Sequence, residues 1–174
     1  MIQVRIISAV EEVLHQGNVL LAELEPHAYA APLGQPYNAS IGGHYRHVLD
    51  HFVCLLSGLA TGKVDYDARS RSKVVETDID EARLLTDELL SALRGLPAGI
   101  WARPCMVTYS VGYSDPLPES LRSTFGRELG FAVGHAIHHY AIIRLLCAQW
   151  SVEVPVAFGV APSTLNHQAS HLAS

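Results

Sequence analysis

The stretch VGHAIHHYAIIR, residues 133–144, places three histidines in an otherwise apolar run. His135, His138 and His139 stand where a buried helix ordinarily carries leucine or alanine. A neutral imidazole has one donor and one acceptor, and both need partners when buried. The fold must therefore supply something that compensates these rings. A second window, GGHYRHVLDHF, carries His44, His47 and His51, so six of the ten histidines lie in two short segments.

Both windows fall on amphipathic helical patterns. Apolar residues recur at close to the 3.6-residue period over residues 3–24, 40–59, 77–93 and 124–150, which predicts four long helices. Asn38 or Ser40 is the expected cap of the second, TDID (residues 77–80) opens the third, and Ser123 or Thr124 caps the fourth. EPHAYAAPLGQPYN breaks the chain after the first helix, and KVDYDARSRSKVVE reads as a polar loop. Two short strands are expected around YSVGYS, and the tail, residues 151–174, is expected to be irregular. Four helices in one domain, with a long connection between the third and fourth, define an all-α four-helix bundle.

At about 100° per residue, His44, His47 and His51 fall within roughly 60° of one another. His135 and His139 are one turn apart, a spacing that lets two imidazoles reach one ion. His138 lies roughly 100° round the helix from His139, so it does not point with it. Two histidines of the fourth helix and one of the second would make a three-ligand site with an open position, the pattern of catalytic zinc. Zinc, nickel and iron all suit imidazole ligands. The competing reading is a pair of polar helix faces lining a wet pocket. A histidine site binds metal only with neutral rings, so affinity is expected to fall through the histidine titration range.

The remaining features narrow the function. Nearly half of the 174 residues are hydrophobic (49%), 17% are charged, and the net charge is −5 with histidines neutral. No Lys/Arg cluster recommends a nucleic-acid partner. No signal peptide or membrane-length run is read, so a soluble, cytoplasmic protein is expected. Cys54, Cys105 and Cys147 are far apart and read as free buried thiols. There is no GxSxG nucleophile motif, and Gly42 and Gly43 adjoin no GK[ST]. DYDARSR reads as a solvated loop, the alternative being an arginine at a pocket mouth that grips a substrate carboxylate. The fourth helix is apolar almost all round, which predicts a homodimer in which the first and fourth helices pack on their symmetry mates.

SIGGHYRHVLDHF followed far downstream by GHAIHHYAIIR resembles the DinB/YfiT-like superfamily of bacterial four-helix metalloproteins. The resemblance covers most of the chain. It implies that His47 is the second-helix ligand, with His51 and then His44 as alternatives, and that His135 and His139 are the fourth-helix pair. His138 and Asp50 stand beside these ligands, and Asp50 is a candidate acceptor for an imidazole N–H. The resemblance further implies a divalent metal (Zn, Ni or Fe) at the floor of a pocket and a small-molecule substrate. Relatives include transferases and isomerases that use low-molecular-weight thiols such as mycothiol or bacillithiol. The implied chemistry is metal-activated thiol transfer or hydrolysis; the alternative is a non-catalytic metal-binding or stress-response protein with a structural or sensory metal.

Overall fold

The computed structural model describes residues 2–34, 38–113 and 119–172. In chain order the elements are α1 (Ile2–Glu23), α2 (Pro26–Ala30), α3 (Ile41–Gly58), β1 (Lys63–Asp65), α4 (Lys73–Thr77), α5 (Ile79–Arg94), a 3-10 turn (Ala98–Ala102), β2 (Pro104–Tyr109), β3 (Glu119–Thr124), α6 (Phe125–Gln149) and α7 (Pro162–Leu172). The four long helices α1, α3, α5 and α6 form the bundle. Both α1 and α3 pack on α5 and on α6.

Caps set where these helices begin. Ser40 accepts from the Gly43 amide at 2.9 Å and opens α3, and Thr124 accepts from Arg127 N at 3.2 Å and opens α6. Asp78 caps α5 by accepting from the amides of Asp80 and Glu81. Each such cap contributes about 1 kcal/mol. Thr77 ends α4 instead of opening α5, and its hydroxyl donates to Lys73 O.

On α6 the buried residues Phe125, Leu129, Ala132, Ala136, Tyr140, Ile143 and Cys147 recur at spacings of three and four, the stripe of a core helix. By length and composition alone α6 is also long and apolar enough to cross a membrane, contrary to the sequence expectation. Its apolar excess is explained by this stripe together with the partly covered flanks described below. Tyr45 and Tyr140, both fully buried, stack in parallel with centroids 6.3 Å apart. Their hydroxyls are satisfied by Thr86 and by Val13 O.

Four segments depart from the sequence expectations. The break after α1 contains the short α2, and the polar loop contains β1 and α4. The strands do form a hairpin, but its arms are β2 and β3, in register from Pro104↔Thr124 to Tyr109↔Glu119. YSVGYS contributes only Tyr109 to a strand, and its last residue, Ser114, lies outside the described residues. β1 joins β2 in parallel, so a small three-stranded sheet is added to the helical bundle. The tail is not irregular throughout, because residues 162–172 form α7. Pro162 reads as a breaker in the sequence but sits at the start of this helix, where a missing N–H costs nothing.

The segment between α6 and α7 is a strap over α6. Phe158 is fully buried and stacks on Tyr140 at 4.6 Å. Arg144 donates to the carbonyls of Val156 and Phe158. Gly159 has φ +72° and lies so close to the α6 backbone at Ala141 that a Cβ there would collide with it.

Candidate metal centre

The packing of α3 on α6 brings the two histidine windows together. His47, His135 and His139 each offer a ring nitrogen, and these nitrogens all lie within 4.8 Å of one another. His135 Nε2 and His47 Nε2 are 3.0 Å apart. The rings of His47 and His139 meet edge-on at 4.6 Å, and those of His135 and His139 at 4.5 Å.

The neighbouring histidines take different parts. His44 Nδ1 lies 2.9 Å from His139 Nδ1. With His139 Nδ1 as the donor, the bond leaves His139 Nε2 unprotonated and available as a ligand. His51 Nδ1 donates to His47 O at 2.9 Å, which leaves its Nε2 unprotonated. Its ring lies 4.0 Å from that of His135 and 5.2 Å from that of Tyr66. His138 is exposed and touches the group only through the edge of His139, at 5.3 Å. Asp50 reaches no imidazole. It is buried, and its two oxygens are held by Arg46 at 3.0 Å and Ser70 at 3.2 Å. Although Asp50 shares a helix with His47, its carboxylate is turned to these two donors, and among the described residues no imidazole hydrogen bond to it is found.

Burial sets the charge state of the group. Desolvation, followed by the proximity of the other histidines, lowers the imidazolium pKa of His47 to about 2, of His135 to about 3 and of His139 to about 4. His44 and His51 are lowered as well, first by burial. Arg69 adds its positive charge against His47, His51, His135 and His139. All of these rings are neutral at pH 7, the form that binds a metal. Nitrogens sharing a tetrahedral zinc at about 2.0–2.1 Å stand ~3.3 Å apart, so the 3.0 Å His47–His135 pair needs only a small adjustment. The donor set, three neutral imidazoles on two facing helices, fits a borderline divalent cation.

Two cavities flank the group. One, of about 300 Å³, is lined by His44, His47 and His139 with Ser40, Arg46 and Glu76. Next to this cavity Gly42 lets α3 approach α4 and α2, because a Cβ there would collide with Glu76 O and the Tyr29 ring. The other cavity, of about 510 Å³, lies beyond His51 and Phe131 against the small sheet. Glu128 is buried in its wall and accepts from Tyr66 (3.0 Å), Ser123 (2.6 Å) and Arg127 (3.2 Å). Burial, and then Glu128, raise the Tyr66 phenol well above its usual pKa. Tyr66, Glu128 and Phe131 are absent from the sequence-based reading. Glu128 stands seven residues before His135 on one helix stripe, and that spacing was the available signal.

A helical bundle with a three-histidine group that could hold a metal ion is thus the class defined by fold and site. The fold is DinB-like. The crystal structure of a DinB-like protein, YjoA from Bacillus subtilis, superposes with a TM-score of 0.65 at 17% identity, covering 88% of this chain and 98% of that one. No family model matches the sequence. The chain is 34% identical over 104 residues to FK506-binding protein 5 of Rhizopus delemar. That match takes in 60% of this chain and 27% of the fungal protein.

Proposed function

We propose that the protein is a divalent-metal-dependent enzyme acting on a small molecule, with His47, His135 and His139 as the ligands. The observation that carries this reading is that His47 and His139 line an open cavity of about 300 Å³, so a small molecule can approach the ligand group. A divalent cation held there would supply the Lewis acidity that makes a thiol or a water nucleophilic at neutral pH. The chain's own residues fix the rings. His44 orients His139 through its Nδ1, the His47 carbonyl orients His51, and burial keeps the triad unprotonated. Thiol transfer and hydrolysis are the two reactions that such a centre supports, with zinc, nickel or iron as the metal.

A second reading, a structural or sensory metal, is favoured by the availability of His51, whose ring contacts both His47 and His135. Elemental analysis of untagged protein, followed by a conjugation screen with low-molecular-weight thiols and by ester hydrolysis assays, separates the two. About one ion per chain with turnover lost on chelation supports the enzyme. A bound ion held by four histidines, with no turnover, favours the structural metal.

A further inference from the structure

The larger cavity has a charge pattern of its own. In a chain of net charge −5, it gathers three arginines, Arg69, Arg122 and Arg127, against two carboxylates, Asp67 and Glu128. Both carboxylates already have partners. Asp67 accepts from Ser110 at 2.8 Å, and Glu128 is enclosed by Tyr66, Ser123 and Arg127. Arg69 is different. Among the described residues neither it nor the exposed Arg122 has a carboxylate partner, but of the cavity's arginines Arg69 alone has its Nε buried without a hydrogen-bond partner. A buried unpaired donor on a charged group is costly, and such a group asks for an explanation. The walls around it are apolar and aromatic, formed by Tyr66, Val107, Leu121 and Phe131. At about 510 Å³ the cavity is in the range of small-molecule sites.

We propose that this cavity binds an organic monoanion, with an aromatic or hydrocarbon body against Phe131 and Tyr66 and a carboxylate on the Arg69 guanidinium. A planar guanidinium presents parallel N–H groups that match a carboxylate. With three arginines against two carboxylates, the net charge of about +1 in the cavity matches a monoanion better than a phosphate dianion. His51 lines the same cavity, and its ring centroid lies 4.0 Å from that of His135. The acid would therefore lie beside the histidine group. The assignment gives the substrate class for the proposed enzyme and rests on that reading only for the link to catalysis; the binding itself does not require a metal.

The test is calorimetric titration of metal-free protein with 3-phenylpropionate, 3-phenylpropanol and inorganic phosphate. The acid is expected to bind at least about tenfold more tightly than the alcohol, as a charge-assisted pair implies, and more tightly than phosphate. Arg69→Gln should lose that margin, Arg69→Lys should lose part of it, and Arg83→Gln, on the exposed face of α5, should keep it. Equal binding of acid and alcohol, tighter binding of phosphate, or full affinity in a folded Arg69 variant overturns the proposal. Repeating the titration on the His135→Ala/His139→Ala protein separates the two ideas. Acid binding retained with metal lost leaves this site standing whatever becomes of the metal centre.

Discussion

His47 Nε2 lies 3.0 Å from His135 Nε2, although the two residues are 88 positions apart in the chain. At this distance both rings cannot be protonated, so the pair shares either a proton or a cation. Replacing His135 and His139 together by alanine is expected to reduce bound metal to background while the bundle stays folded. The cost to the metal-free protein is expected to be about 1 kcal/mol, a fall of ~2–4 °C in Tm for a domain of this size. Elemental analysis and thermal melts check both parts, and full metal content in the folded double variant would rule out these ligands.

The lowered histidine pKa values give the metal-free protein a signed pH dependence. In the unfolded chain the rings protonate near pH 6.5, whereas in the folded chain His139 resists until about 4 and His135 until about 3. Between these limits the unfolded state binds more protons, so stability is full above about pH 6.5 and is lost as the pH falls towards 4. Melts of the metal-free protein from pH 7.5 to 4 should show this decline, and the double alanine variant should show a shallower one. The expectation that metal affinity falls from pH 6.5 moves accordingly. In the folded state protons compete with the metal only near pH 4, and release between 6.5 and 4 follows unfolding.

Phe158 ties the strap to the bundle directly behind the site, because its partner Tyr140 follows His139. Phe158→Ala removes a fully buried ring and is expected to cost about 3 kcal/mol, with a Tm lower by ~6–12 °C. Metal affinity should weaken with it. A melt within 2 °C of wild type, roughly 1 kcal/mol or less, would show that the strap does not brace α6.

The outer side of α6 is only partly covered. The strap and the 3-10 turn shield some of it, yet Leu145 is 71% exposed. A homodimer through α1 and α6 is therefore still expected, and light scattering at micromolar concentration should give twice the chain mass. Leu145→Asp should give the monomer with unchanged helix content. A wild-type monomer at that concentration would remove the dimer.

The bundle was legible because four apolar stripes run at helical period, and the two histidine faces because three- and four-residue spacings fix which rings share a face; the choice of His47 over His51 and His44 came from the resemblance. The same wheel placed His138 off the group. The sheet was harder to read, since β1 has three residues with only Val64 buried, and its partner strand lies some 40 residues downstream. No local period records such a pairing. Asp50 was misplaced because spacing tells which groups could meet, not which donor reaches first; Arg46, one turn away, holds its carboxylate. Arg69 sat in a segment whose composition matches any solvated loop, and only the fold turns it inward.

The pairing of one histidine on α3 with two on α6 makes the centre a vernier for helix registry. If α6 slipped one turn along α3, about 5.4 Å, either Phe131 would take the place of His135 or Ile143 the place of His139. Either step leaves α6 with one imidazole at the group instead of two. Mis-registered bundles would bury the same kind of apolar surface and escape detection by helix content, but they would present an incomplete chelate. If the triad holds a cation, metal stoichiometry would count correctly threaded molecules, and a cation added during refolding would select for them.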